Sequence, residues 1–130
     1  VVENVEAASR SAVGALTPVD LATVEAVRDR YNELCPVPCT RCEYCMPCPN
    51  GVNIPGNFAM LNEGVMFDAL AEVRRRYGHM AEDARASACV QCRSCEPKCP
   101  QSITISEWMP LLHAILAEGR AFDPAACPKP

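Results

Sequence analysis

Eight of the chain's ten cysteines fall into two runs of nearly identical spacing, and this constrains the fold more than any apolar periodicity does. The first run is Cys39-Thr-Arg-Cys42-Glu-Tyr-Cys45-Met-Pro-Cys48-Pro49. The second is Cys89-Val-Gln-Cys92-Arg-Ser-Cys95-Glu-Pro-Lys-Cys99-Pro100, and residues 49–88 between them hold no cysteine. The second run fits the C-x2-C-x2-C-x3-C-P pattern of iron–sulfur ligation without deviation. The first is one residue shorter before its last Cys. Three thiolates two residues apart, on a loop curled around a point, can each reach a different iron of one cubane. The fourth iron needs a ligand from another direction. In chains with two such runs, the Cys before Pro serves the other cluster, and the Pro fixes φ and steers the chain away. We therefore expect one [4Fe–4S] cluster on Cys39, Cys42, Cys45 and Cys99, and a second on Cys89, Cys92, Cys95 and Cys48. Ligation crossed in this way would staple two segments some forty residues apart.

Two other uses of cysteine compete with this reading. A disulfide framework explains a Cys-rich chain, but not two C-x2-C-x2-C triplets. Zinc is held by C-x2-C pairs in all-cysteine sites, but those show pairs, not triplets followed by Cys-Pro. Cys35 and Cys127 stand outside the runs. Cys35 either replaces a ligand in the shortened first run or is a spare thiol beside a proline, the reading we prefer. Cys127 lies in a Pro-rich tail that reads as extended and mobile, and there a free thiol has no specific task.

Composition agrees with a stapled fold. The chain has 130 residues, and only 5% are aromatic, so a thin core needs help from something other than apolar burial. The net charge of −4 and a pI near 5.1 argue against binding to a phosphate backbone. No apolar run is long enough to span a membrane, and no secretory leader is visible. A first residue of Val1 leads us to expect a processed form or a piece of a longer protein.

The apolar pattern reads as helical throughout. Thr17-Pro18-Val19-Asp20 has the form of a helix start. Val24, Val27, Tyr31 and Leu34 follow at helical spacing, and Pro36 and Pro38 stop the helix before the first run. Residues 1–13, rich in Ala and Val, are expected to be partly helical. After the first run we expect a helix over 58–62 broken by Gly64, then a stripe of Met66, Phe67, Leu70, Val73 and Tyr77 closed by Gly78. A short helix over 81–88 should deliver the second run. Ser106 should cap a last helix carrying Trp108, Leu111, Leu112, Ile115 and Leu116. Glu72 and Arg76 have the i,i+4 spacing of an ion pair. No segment shows sustained strand alternation. The expected class is all-α, with residues 1–34 as a helical connector, 35–119 as a dicluster domain and 120–130 as a flexible tail. Each run is followed by an Ile-containing turn and a helix, which suggests a degenerate internal repeat.

The stretch from Cys39 to Pro55, including Asn50-Gly-Val-Asn-Ile-Pro, resembles the C-terminal ferredoxin-type extension of certain prokaryotic aldo/keto reductases. The second run, through Ser102-Ile-Thr-Ile, is similar to that extension too, and Val2-Glu-Asn-Val-Glu-Ala-Ala resembles the end of the barrel that precedes it. The resemblance covers about residues 1–118. It implies a helical ferredoxin-like fold, two clusters, and an NAD(P)H-binding barrel upstream. Arg41 and Arg93 depart from it, since the family often has Gly at those positions. The family's catalytic residues belong to the barrel, so this chain should carry no catalytic residue. His79 and His113 read as surface residues or as satisfied partners.

These readings lead to an electron-transfer module serving a fused reductase barrel or a partner protein, in a reducing cytoplasm, with no nucleic acid or membrane as partner. One alternative is a structural dicluster that pins a tail against a barrel or subunit. Another is a free-standing ferredoxin-like subunit of an anaerobic oxidoreductase complex.

Overall fold

A computed structural model describes residues 1–128, and it is all-helical: five α-helices and four single 3₁₀ turns, with no strand among the described residues. The chain divides into two units, Val1–Glu33 and Leu34–Pro130. The first holds α1 (Val2–Arg10) and all but the last residue of α2 (Pro18–Leu34). Neither helix has a buried residue, so local terms hold them. Thr17 Oγ1 accepts from Asp20 N at 3.2 Å, while Thr17 N and Thr17 Oγ1 both donate to Asp20 Oδ2 at 2.9 and 2.7 Å. This reciprocal cap satisfies N-terminal donors that have no intrahelical partner. It also holds the Asp20 carboxyl below its usual range.

The second unit contains the core. Its helices are α3 (Ile54–Met66), α4 (Leu70–Gly78) and α5 (Ile105–Leu116). Phe58 and Leu61 of α3, Val73 and Tyr77 of α4, and Trp108, Met109, Leu112, Ile115 and Leu116 of α5 are buried together. Val37, Val52 and Ile103, just outside the helices, join them. Phe58 and Trp108 meet edge to face, with ring centroids 6.5 Å apart, the arrangement aromatic quadrupoles favour.

Several local expectations give way to packing. α3 starts at Ile54, capped by the Asn53 side chain accepting from Gly56 N at 3.0 Å. It runs through Gly64 because that residue lies against Leu70, where an added Cβ would come within 2.8 Å of Leu70 Cδ2. Gly64 therefore permits a close approach instead of ending the helix. The stripe from Met66 to Tyr77 is interrupted. Phe67 is 73% exposed, Asp68 turns the chain at φ 51°, and α4 begins only at Leu70. Gly78 stays inside α4, and His79 closes it in a right-handed conformation. Residues 81–88 form two 3₁₀ turns, Glu82–Ala84 and Ala86–Ala88, not one helix. Glu72 pairs with Arg75, Arg76 pairs with Glu63 on α3, and Arg74 reaches the end of α5 to donate to Ile115 O and Arg120 O, both at 2.9 Å. His113 is a satisfied partner: its Nδ1 lies 3.1 Å from Tyr77 Oη, which also accepts from Ala86 N at 3.1 Å. Beyond Gly119 the chain makes a turn at Pro124–Ala126, and Phe122 and Cys127 rest against the core.

One polar pair fixes the entrance to the first run. Asn62 on α3 accepts from Val37 N at 3.0 Å and donates to Val37 O at 2.7 Å. Val37 is fully buried. Asn62→Ala leaves the buried Val37 N–H without a partner and removes one of the donors to Val37 O, which still accepts from Cys39 N and Cys35 Sγ. An unpaired buried N–H costs about 1–3 kcal/mol. The expected result is a lower urea midpoint for the metal-loaded protein at an unchanged m-value.

Candidate metal centre

The two cysteine runs take the same backbone path. Cys39 and Cys89 are brought in by turn hydrogen bonds, Met46 N donates to Glu43 O at 2.8 Å, and Glu96 N donates to Arg93 O at 3.1 Å. After the extra residue of the second run the correspondence resumes. Gly51 N to Cys48 O matches Ser102 N to Cys99 O, and Ile54 N to Val52 O matches Ile105 N to Ile103 O. The stretches that differ in length also differ in form. The Met46–Pro47 peptide is cis, whereas Glu96–Lys98 is a 3₁₀ turn. The internal repeat expected from the sequence is thus present in the hydrogen bonding, and each half ends in a helix, α3 or α5.

Each loop carries two left-handed residues around its second cysteine: Arg41 (φ 55°) and Glu43 (φ 64°) beside Cys42, Gln91 (φ 55°) and Arg93 (φ 61°) beside Cys92. A non-Gly residue in this region costs about 1–2 kcal/mol. The conformation explains why glycine suits positions 41 and 93. Sequence reasoning singled out the two arginines but missed Glu43 and Gln91, their counterparts in the repeat. Among the described residues, no backbone N–H of residues 40–45 or 90–95 donates to a backbone carbonyl. Successive N–H groups without carbonyl partners in such turns form a concavity suited to an anion, as in many iron–sulfur sites.

The loops enclose two spaces of similar size. One is lined by Cys39, Cys42, Cys45 and Cys99 together with Phe58 and Ile103. The other is lined by Cys48, Cys89, Cys92 and Cys95 together with Val52 and Ser106. Each space therefore has three thiols from one run and the last thiol of the other. Ile54 and Ile105, the first residues of α3 and α5, line both and form a common apolar wall. α5 is held to the second loop at this point. Ser106 N and Oγ both donate to Glu96 Oε1, at 2.9 and 2.6 Å, and Gln91 Nε2 donates to Ser106 O at 3.0 Å. The helix N-cap is Thr104, which makes no side-chain capping bond, so Ser106 serves the loop and not the cap.

The thiols differ in their surroundings. Cys42 and Cys92 are exposed, and the other six are partly buried. Burial pushes the Cys39 and Cys45 thiols above their ordinary range, and pushes Cys95 up to about 11. The Arg41 N–H opposes this at Cys39 by hydrogen bonding to its sulfur. At Cys92 the Ser94 hydroxyl, then the Ser94 N–H, bond to sulfur and hold the thiol below its ordinary range. Cys99 acts electrostatically on Cys39 and Cys45, and Cys95 feels both Cys89 and Cys45. Buried thiols are protonated near neutral pH, so loading with metal must release protons. Among the described residues, no three His, Cys, Asp or Glu side chains converge closely enough to hold a single metal ion. The four thiols of each set surround a space instead. Four sulfur donors, an apolar wall and N–H groups that no backbone carbonyl engages fit a thiolate-bound cluster.

Cys35 and Cys127 line neither space. Cys35 Sγ donates to Val37 O at 3.2 Å, and Cys127 is half-buried near Asp123 O.

A family model described as a 4Fe-4S dicluster domain matches residues 38–104. No curated protein and no solved structure matches the chain.

The two spaces make the ligand sets separable by mutation. Cys99→Ser and Cys48→Ser are each expected to lower the iron and acid-labile sulfide of protein reconstituted without oxygen. Cys35→Ser and Cys127→Ser should leave both at the parent level. An equal loss in Cys35→Ser would make Cys35 a ligand.

Proposed function

We propose that the chain, which belongs to the 4Fe-4S dicluster domain family, is an electron-transfer module with two [4Fe–4S] clusters. In this reading Cys39, Cys42, Cys45 and Cys99 hold one, and Cys89, Cys92, Cys95 and Cys48 hold the other. The observation that carries it is the pair of spaces, each with four thiols drawn from both runs. When bound, such a cluster takes up and returns one electron at a potential set by hydrogen bonds to sulfur, burial and charge. The chain's own residues set those conditions. Buried Ile54 and Ile105 give the two sites a shared apolar lining. The exposed Cys42 and Cys92 bring one thiol of each set to the surface, where a redox partner can approach. With four thiolates on every site there is no open position for a substrate, which suits transfer of electrons and not conversion of a molecule.

The finer reading makes the chain the C-terminal part of an aldo/keto reductase-type oxidoreductase, with NAD(P)H bound by an upstream barrel. Its support is the resemblance of residues 39–55 to that family's extension. The partner is then the fused barrel, or a separate oxidoreductase if the chain is a subunit of its own. A reading frame continuing far upstream of Val1 supports the first, and a start codon close to Val1 supports the second. No helix among the described residues is long and apolar enough to cross a membrane. Free thiols and exposed cluster edges suit a reducing cytoplasm. Crossed ligation also favours a structural contribution, because each cluster would tie the two runs together.

Metal analysis after anaerobic purification tests the reading. We expect about eight irons and about eight acid-labile sulfides per chain, both clusters being reducible by dithionite. Zinc without sulfide overturns it. Full iron content with no reduction leaves only the structural role.

A further inference from the structure

The internal repeat gives the two sites matching backbones, so differences between them come from side chains at equivalent positions. Two such differences lie at the exposed cysteines. Position 43 of the first loop corresponds to position 93 of the second, and both are left-handed. Glu43 lines the space with Cys39, Cys42, Cys45 and Cys99, whereas Arg93 lines the space with Cys48, Cys89, Cys92 and Cys95. Opposite charges therefore stand in corresponding walls. The next position differs as well. Ser94 follows Arg93, whereas its counterpart is Tyr44, 65% exposed.

We infer that Glu43 and Arg93 separate the potentials of the two sites, making the site on Cys48, Cys89, Cys92 and Cys95 the first to be reduced. This rests on the electron-transfer reading above. Reduction adds one negative charge to a site that is already anionic. A guanidinium in the wall favours that added charge, and a carboxylate opposes it. A hydroxyl such as that of Ser94, when it donates to a ligand sulfur, acts in the same direction as Arg93.

Glu43 and Arg93 are the charged residues that line the two spaces. Glu96 acts on Cys95, and its carboxylate is engaged by the N–H and hydroxyl of Ser106. Arg41 acts on Cys39 and Lys98 adjoins Cys99 of the first set, but neither lines a space. With clusters bound, the site on Cys48, Cys89, Cys92 and Cys95 would hold the electron at lower energy, and its exposed thiol is Cys92. Both tuning residues are exposed, so their effect weakens as salt rises.

The test is a dithionite titration of the loaded chain, followed by electron paramagnetic resonance, which yields two midpoint potentials. Arg93→Gln should move the higher potential in the negative direction and leave the lower in place. Glu43→Gln should move the lower potential in the positive direction and leave the higher. Arg93→Lys should keep the parent value, and Ser94→Ala should shift the higher potential negative. Iron and sulfide content, measured on each variant, separates tuning from lost loading. If Arg93→Gln moves the lower potential, or no variant moves either, the inference is overturned while the electron-transfer reading stands. If the parent chain carries no reducible iron, both fall.

Discussion

Everything in the second unit depends on how two loops with almost no internal backbone hydrogen bonding are held in shape. Residues 40–45 and 90–95 leave their N–H groups without carbonyl partners among the described residues, and four non-glycine residues sit in the left-handed region. Such loops are not stable by themselves. They are fixed from outside. Asn62 clamps Val37 ahead of the first run, while Ser106 ties α5 to Glu96 and Gln91 of the second. Ile54 and Ile105 then press α3 and α5 against both cavities at once. The helices form a frame, and the frame is justified by the loops it positions.

The all-helical class and the grouping of thiols around two spaces were legible because they depend on short-range rules. The C-x2-C-x2-C spacing is a local pattern with a chemical reason, and the absence of strand alternation is visible along the chain. The cavities bring together the same thiols that crossed spacing grouped. The helix ends were less legible because tertiary packing decides them. Gly64 looks like a breaker in one dimension, and only the approach of Leu70 makes it a contact surface. Phe67 fits a helical stripe, yet it points to solvent because the chain turns at Asp68 before α4. Glu72 has Arg76 at the right spacing, but Glu63 on a neighbouring helix takes Arg76. Glu43 and Gln91 could have been found from the sequence. Aligning the two runs puts them opposite Arg93 and Arg41, two residues already marked by their unusual place.

The first unit follows a different logic. None of the residues of α1 or α2 is buried, so the apolar spacing that reads as a core stripe is not matched by a core within the unit. Its helices rest on local terms: the Thr17–Asp20 cap and short-range pairs such as Arg30–Glu33. Exposed pairs of this kind contribute at most about 1 kcal/mol each, and short helices are marginal without tertiary support. Sequence periodicity therefore identified these helices correctly while saying nothing about what they pack against. In the second unit the same signal marked real burial at Val73, Tyr77 and Leu112.

On the proposed reading, repetition and its breakdown together give an electron a direction. A backbone repeated within one chain builds two sites of nearly equal size, with an exposed thiol at Cys42 and Cys92 and partly buried thiols at Cys45 and Cys95. Two identical sites would share an electron without preference. The sequence repeat is degenerate, and it degenerates at positions where the backbone is kept: Glu43 against Arg93, Tyr44 against Ser94. Geometry is thus conserved between the halves while charge is not. The backbone repeat accounts for two thiol-lined spaces, and on the proposed reading their side chains make them unequal.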